Sequence, residues 1–187
     1  MDDGRELLEL VPDGDAILRQ KCRELSPEEI GSAEIQKLID DMRYTIEQRK
    51  SGVGLSANQV GRSEAISVIA IKPTPARPQL EPFEKVCINT VIVEGFGEKE
   101  PMWEGCLSTA RDENGEASMA QVPRYRKVRV EYYDREGKKH NEVVEGFVAQ
   151  VLQHETDHLY GRLFTDFIEK DSLISYREYV KRFGLSK

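Results

Sequence analysis

The sequence predicts a protein that contains both α-helices and β-strands. Two segments repeat apolar residues with helical spacing, and three others are rich in β-branched residues in the pattern typical of strands. The helical apolar sets are Ile35, Leu38, Ile39, Met42 and Ile46, and Phe147, Val148, Val151, Leu152 and Leu159. The strands are predicted at residues 65–70, 86–93 and 127–133. A turn at residues 134–137 then leads to another strand around residues 139–144, which runs into the second helix.

Local signals mark where several elements begin and end. Ser26, Pro27 and Glu29 form the pattern of a capped helical turn, and the longer helix that follows is predicted to end before Gly52. Residues 72–82 are rich in proline, which cannot donate ladder hydrogen bonds, so we expect a loop there. The C-terminal segment is predicted to form a helix that packs against the domain and has basic residues in its last turn. Its apolar residues are Leu173, Ile174, Tyr176, Tyr179, Val180 and Phe183, and its basic residues are Lys181 and Arg182.

The length predicts one globular domain, or a domain with a small appendage, and we expect a single domain that covers residues 1–187. The chain is 33% charged and 39% hydrophobic. Its net charge of -7 argues against a general nucleic-acid-binding protein, which needs a basic face, and leaves room for local basic patches. The N-terminus lacks the order of a signal peptide, and no apolar run is long enough to span a bilayer, so we expect no membrane partner. The cysteines Cys22, Cys87 and Cys106 are scattered and odd in number, which favours a reducing cytoplasm.

The segment Gln153-His154-Glu155-Thr156-Asp157-His158-Leu159-Tyr160-Gly161 contains the pattern H-E-x-x-H. On a helix, His158 lies about 40° and Glu155 about 100° from His154, so two imidazoles and a carboxylate share one face. This is the arrangement of a metal site that carries its own base. Gly146 can stand at the N-cap of this helix, and Gly161 is predicted to end it. The alternative is a chance match on an ordinary amphipathic helix.

Two histidines do not complete a metal site, and the third ligand has to be found elsewhere. Phe164 occupies the position where metzincin proteases have a third histidine, and His140 lies at a predicted turn or strand start. The remaining soft ligands are cysteines. Cys106 is the best candidate because it follows Gly105 where a loop or strand end is predicted, although a lone cysteine is more often a small buried hydrophobe. That second interpretation is kept for Cys22 and Cys87.

Three segments together resemble the signature motifs of the peptide deformylases, in the order in which that family has them. They are Gly52-Val53-Gly54-Leu55-Ser56-Ala57-Asn58-Gln59, Glu104-Gly105-Cys106-Leu107-Ser108 and Gln153-His154-Glu155-Thr156-Asp157-His158-Leu159. The first segment alone lacks the order of a phosphate-binding loop and is more typical of a structural turn built on glycine. The resemblance extends from about the first helix to Asp166.

The resemblance implies a fold, an activity and a set of site residues. The fold is α+β, with mixed or antiparallel sheet packed around the central helix that carries the motif. The activity is removal of the N-formyl group from the initiator N-formylmethionine of new polypeptides, with release of formate. Such nascent peptides would be the partners, and transient proximity to the ribosome is compatible with them. The implied ligands of one metal ion are Cys106, His154 and His158, with water as the fourth; Glu155 is the implied acid/base, and the Gln59 side chain and Leu107 N–H are the implied oxyanion donors.

The native metal implied by the family is Fe²⁺, with Zn²⁺, Ni²⁺ or Co²⁺ as substitutes, and thiolate with imidazole suits iron or zinc. Phe147 and Val151 flank the histidine face, so we predict an apolar substrate wall there, with Val53 and Gly54 approaching from the opposite side. Gly105 completes the predicted substrate-binding set.

The sequence departs from the family pattern at two places. Ser56 replaces the first residue of the usual alanine pair, and residues 109–121 form a longer polar segment than commonly follows the cysteine motif. Two other classes remain open: a metalloprotease with an unusual ligand set, and a non-catalytic protein with a structural metal. The second would need a fourth protein ligand, and none is evident.

Overall fold

The computed structural model describes residues 4–49, 52–73, 79–108, 117–169 and 171–184. Four α-helices are present in this part of the chain: α1 (Pro27–Ile30), α2 (Ala33–Gln48), α3 (Gly146–Leu159) and α4 (Tyr176–Arg182). The strands are β1 (Gly54–Ser56), β2 (Ile66–Ile71), β3 (Phe83–Glu104), β4 (Ser118–Tyr133), β5 (Lys139–Glu145) and β6 (Ile174–Ser175). Short 3-10 turns occupy Ala16–Arg19, Ala57–Val60 and Phe164–Asp166.

The strands form an antiparallel sheet in the order β1-β2-β3-β4-β5, and β6 pairs with the start of β4. The two long strands, β3 and β4, extend well beyond the predicted segments 86–93 and 127–133. The added part of β3 is largely exposed and includes two glycines and a proline, so it lacks the apolar alternation on which the prediction depended. Register shifts interrupt the β3–β4 pairing at three points.

The sheet lies between two helices. Ile66 and Val68 of β2 pack with α2, whose predicted apolar stripe is buried, and Ile69 and Ile71 of the same strand pack with Val151 and its neighbours on α3. Because alternate residues of a strand face opposite sides, β2 is buried on both faces. The α+β class and the packing of sheet around a central helix are therefore confirmed.

The helix boundaries agree with the local signals, with small differences. Ser26 caps α1 through a capping box with Glu29, as predicted. The N-cap of α3 is Glu145, one residue before the expected Gly146, whose φ of 65° glycine adopts at little cost. Gly161, with φ 68°, follows the C-cap Tyr160 and ends α3 as expected.

The C-terminal helix is shorter than predicted. Leu173 precedes β6, Ile174 belongs to it, and α4 begins only at Tyr176, with Ser175 as its cap. The helix packs through aromatic rings, since Tyr179 lies 5.4 Å from Trp103 between ring centroids. Among the described residues, no helix combines the length and the apolar character that crossing a membrane requires.

Candidate metal centre

The end of β3 and one face of α3 bring together the three predicted metal ligands. Cys106 lies two residues beyond β3, and His154 and His158 are one helical turn apart on α3. The Cys106 Sγ atom is 3.3 Å from Nε2 of His158, and the ligand atoms of all three residues lie within 4.8 Å of one another. Cys106 and His158 are buried, and the His154 side chain is only 12% exposed. One thiol and two imidazoles at this spacing fit a single zinc or ferrous ion.

The electrostatics of the three side chains favour metal binding. Burial alone would raise the pKa of Cys106, but the adjacent imidazoles of His158 and His154 hold it well below its usual range. The thiolate is the form that binds a metal ion. Burial would lower the pKa of His154, yet its contacts with Cys106 and Glu104 raise that pKa well above the usual value. Because a ligating imidazole is neutral, protons and a metal ion would compete for this site.

A buried ion-pair network orients His154. Oε2 of Glu104 lies 3.0 Å from Nδ1 of His154, and the guanidinium of Arg124 donates two hydrogen bonds to the same carboxylate, at 2.9 and 3.0 Å. A further bond of 2.5 Å joins Arg124 to Asp157 on α3. Although burial opposes ionisation, His154 and Arg124 lower the pKa of Glu104 to about 2. The carboxylate can therefore fix the ring orientation of a ligating imidazole.

Sequence reasoning assigned no role to Glu104, Arg124 or Asp157, although two of them stand inside the motifs. A usable signal existed, because a metal-ligating histidine nearly always bonds its second nitrogen to a carboxylate or carbonyl. Glu104, two residues before Cys106, was the nearest carboxylate in the cysteine motif. Arg124 carried no local signal.

Glu155 is buried beside the ligands, at 4% exposure. Its Oε2 atom accepts a hydrogen bond of 2.7 Å from the Ser56 hydroxyl. A Cβ atom at Gly54 would lie 2.3 Å from Oε1 of Glu155, so the glycine is required for the carboxylate to fit against β1. Burial raises the pKa of Glu155, while the imidazoles and Ser56 oppose that rise. A carboxyl whose pKa moves toward neutrality is suited to carry a proton in both directions.

The glycine-rich motif contributes residues to the same site, and they lie in the 3-10 turn Ala57–Val60. The Gln59 amide donates to Ser108 Oγ at 3.1 Å and lies 3.6 Å from Cys106 Sγ, and its oxygen accepts from the Ser56 N–H at 2.8 Å. Asn58 donates to the carbonyl of His158 at 2.7 Å. Leu107 directly follows the cysteine. Its side chain packs against the buried cluster formed by α2 together with Ile66 and Val68 of β2. Residues far apart in sequence therefore surround Cys106.

The predicted substrate residues fall into two groups. Val53, Phe147 and Val151 belong to one apolar cluster against the sheet, in which Val151 is buried and the other two are partly buried. Gly54 and Gly105 are places where a side chain would collide, with Glu155 in the first case and with Sδ of Met119, at 2.6 Å, in the second. The expectation that Val53 approaches from the side opposite Phe147 and Val151 is wrong, because its side chain packs in the same cluster as those two residues.

The residues that we did not expect to bind the metal make other contacts in the structure. Nε2 of His140 lies 2.6 Å from Oδ2 of Asp134, and the His140 ring stacks on the Tyr132 ring. Cys22 and Cys87 are buried thiols, and burial raises the pKa of both, that of Cys22 to about 11. Phe164 is buried with its ring centroid 6.1 Å from that of His154, so it packs beside the site.

A helix that presents two imidazoles and a carboxylate, completed by a cysteine at a strand end, defines a metal-dependent hydrolase built on an α+β fold. The family model described as polypeptide deformylase matches residues 7–173. The chain belongs to the polypeptide deformylase family, whose members are metallohydrolases that remove the N-formyl group from nascent peptides.

Individual relatives show the same similarity. Peptide deformylase 2 of Nostoc sp. is 38% identical over 176 residues, which cover 93% of each chain. The chloroplastic/mitochondrial peptide deformylase 1A of Arabidopsis thaliana is 38% identical over 173 residues, 86% of this chain and 61% of the relative. The crystal structure of a class I type b peptide deformylase from Acinetobacter baumannii with Met-Ala-Ser bound has a TM-score of 0.79 and 32% identity, over 87% of this chain and 99% of that one.

Proposed function

We propose that this chain hydrolyses the N-formyl group of N-formylmethionine at the start of new polypeptides. The observation that carries the proposal is the close grouping of Cys106, His154 and His158, with their ligand atoms within 4.8 Å of one another, beside the carboxylate of Glu155 and the amide of Gln59. This arrangement supplies what hydrolysis of a formamide requires: an activated water, a stabilised oxyanion and a protonated amine leaving group.

Cys106, His154 and His158 would hold one divalent ion. When bound, the ion lowers the pKa of water and polarises the formyl carbonyl. Glu155 accepts the proton of the attacking water and passes it to the departing amine. The Gln59 amide and the Leu107 backbone N–H donate hydrogen bonds to the oxyanion, and loss of one such donor typically costs about 2.7–4 kcal/mol of barrier.

We propose Fe²⁺ as the native ion, with Zn²⁺, Ni²⁺ or Co²⁺ able to replace it. One thiolate and two neutral imidazoles leave a divalent centre with a formal charge of +1. The ion therefore withdraws less electron density from water than it would with three imidazoles, and Glu155 and the oxyanion donors matter correspondingly more. Metal analysis of protein purified without air identifies the ion, and activity should fall in air as iron or the Cys106 thiolate oxidises.

The side chain of the formylated methionine would pack against Phe147 and Val151, with Val53, Gly54 and Gly105 contacting the extended peptide. Support comes from the Acinetobacter relative, which binds a tripeptide that begins with methionine. Since each buried CH₂ contributes about 0.8 kcal/mol, we expect formyl-Met peptides to exceed formyl-Ala peptides in kcat/KM by one to two orders of magnitude or more.

We further propose that residues 1–187 act as a single catalytic domain in the cytoplasm. Its partners would be formylated nascent peptides met close to the ribosome, and neither DNA nor a membrane is required. The net charge of -7 supports the exclusion of DNA.

Formate release from formyl-Met-Ala-Ser tests the proposal, with unformylated casein as the competing substrate. Formate should appear in proportion to enzyme, and we expect casein to remain intact because hydrolysis of an internal bond would require the site to hold a full acyl chain in place of the small formyl group. If casein is cleaved as fast as formyl-Met-Ala-Ser is deformylated, the chain is a metalloprotease and the proposal is wrong.

A further inference from the structure

Two buried serines meet behind the carboxylate of Glu155. Ser56, the last residue of β1, is 0% exposed, and Ser67, its cross-strand partner on β2, is 1% exposed. The Ser56 hydroxyl lies 2.7 Å from Glu155 Oε2, 2.8 Å from Ser67 Oγ and 3.2 Å from the carbonyl oxygen of Glu155. An alanine at position 56, as in the usual family pattern, would make none of these contacts.

The chemistry of the three groups sets the direction of the hydrogen bonds. An ionised carboxylate only accepts, so the single proton of the Ser56 hydroxyl points to Oε2 of Glu155. Ser56 Oγ can then only accept in its contact with Ser67, so the Ser67 hydroxyl donates to Ser56 Oγ. The order is therefore Ser67 to Ser56 to Glu155, and the last bond, which involves a charge, is the strongest.

The series leaves the two carboxylate oxygens of Glu155 in different surroundings. Oε2 is held by Ser56, while Oε1 faces the backbone of Gly54, where a Cβ would lie 2.3 Å away. We propose that Ser56 is a positioning residue that holds Oε2 and so presents Oε1 as the atom that takes the proton from water and gives it to the amine. This inference rests on the proposed deformylase function. The Ser67 hydroxyl supports Ser56 in this role.

A purely structural role for the serine pair makes a different prediction. In that case Ser56→Ala would lower stability because it leaves the Ser67 hydroxyl buried without its partner, and any loss of activity would follow the loss of stability. Replacing both serines removes the unpaired Ser67 hydroxyl, so the double variant Ser56→Ala/Ser67→Ala should recover that part of the stability, while Glu155 Oε2 lacks the Ser56 donor in both variants. If the role is purely structural, kcat should recover in the double variant together with stability. If Ser56 positions Glu155, kcat should stay low.

The experiment compares Ser56→Ala, Ser67→Ala, the double variant and a control, Thr45→Val. Thr45 is also fully buried and its hydroxyl accepts from the Leu8 N–H at 2.9 Å, but it lies on α2, away from the metal centre. For each variant, kcat, KM for formyl-Met-Ala-Ser, metal content and melting temperature are measured. Ser56→Ala should fold, because alanine is the residue that the family pattern has at this position.

We expect Ser56→Ala to lower kcat about 10- to 100-fold with KM and metal content within about twofold of wild type. Ser67→Ala should lower kcat less, by about threefold. The double variant should regain only the part of the melting temperature that the unpaired Ser67 hydroxyl costs, while kcat stays low. Thr45→Val should lose stability and keep wild-type kcat.

Two outcomes overturn the inference: a kcat for Ser56→Ala within twofold of wild type, or recovery of kcat in the double variant together with stability. Either result leaves the deformylase proposal intact, because formate release by the wild-type protein is measured in the same assay. If the wild-type protein releases no formate, the function itself is wrong, which is a distinct result.

Discussion

Glu155 is a neighbour of both histidines on α3 and yet need not bind the ion. Glu155→Gln should therefore retain the metal and lose nearly all turnover, because the amide fills the same space but carries no proton between water and amine. Acid/base catalysis usually supplies about 10²–10⁴-fold, so we expect less than a tenth of wild-type kcat. Metal content is measured on the same samples. Retention of more activity than that would assign the proton transfer to another group.

Through its contact with His154, Glu104 would orient a ligand of the proposed metal ion. Glu104→Gln removes the charge that faces Nδ1 and also leaves the Arg124 guanidinium without its buried carboxylate. We expect metal affinity to fall about 10- to 100-fold, the usual effect of removing such an orienting group. The matched control is Glu100→Gln, on the same strand, whose ion pair with Arg126 is exposed. Titration with a competing chelator gives both affinities, and equal values in the two variants would contradict the role of Glu104.

At the residue scale, the sequence carried the ligands and the adjacent carboxylate because they lie in short motifs with fixed spacing. The orienting network could not be read in the same way. Arg124 is one of several basic residues in β4, and only the pairing of β3 with β4 and the packing of α3 bury it between Glu104 and Asp157. When two residues of an ion pair are far apart in sequence, nothing in the sequence around either one indicates that they pair.

Gly161 ends α3 at a point where two backbones meet. Its φ is 68°, and an added Cβ would lie 2.5 Å from the carbonyl oxygen of Arg19. The control is Gly137, with φ 76° but nothing nearer than the Pro27 carbonyl oxygen at 4.0 Å. Alanine in the left-handed region costs about 1–2 kcal/mol at either site. The collision adds about 1–3 kcal/mol at Gly161 alone.

Urea unfolding of Gly161→Ala and Gly137→Ala measures this difference in the free energy of unfolding. Gly161→Ala should be the less stable variant by at least about 1 kcal/mol. Equal stabilities would mean that residues 19–20 move away from α3 freely.

At the element scale, helices were predicted more closely than strands. The apolar stripe of α2 and the stop at Gly161 depend on residues close in sequence, so their signals are local. The extension of β3 to Glu104 depends on pairing with β4, since its polar, glycine-containing part has no strand signature of its own. Likewise Ile174 reads as part of a helix until its pairing with Met119 is known.

At the scale of the whole molecule, an ion held by Cys106, His154 and His158 would join the segment after β3 to α3 and should stabilise the fold. A ligand present at about 100 times its dissociation constant stabilises a protein by about 2.7 kcal/mol. For a domain of this size, we expect removal of the metal by a chelator to lower the melting temperature by about 5–11 °C.

The control for the chelator experiment is His154→Ala, which removes one ligand. Its melting temperature should not respond to the chelator. A wild-type protein that melts at the same temperature with and without its ion would show that the site contributes nothing to folding, and would weaken the assignment of the three ligands.

The wide separation of the ligands along the chain has a consequence for biosynthesis. Cys106 leaves the ribosome before β4 and β5, and the two histidines follow only when α3 is made. Before α3 is made, a growing chain lacks two of the three predicted ligands, so we expect it to acquire the ion only after residue 158 has been added. A product truncated before His154 would lack both histidines, so we expect it to bind no ion at this site and to show no activity.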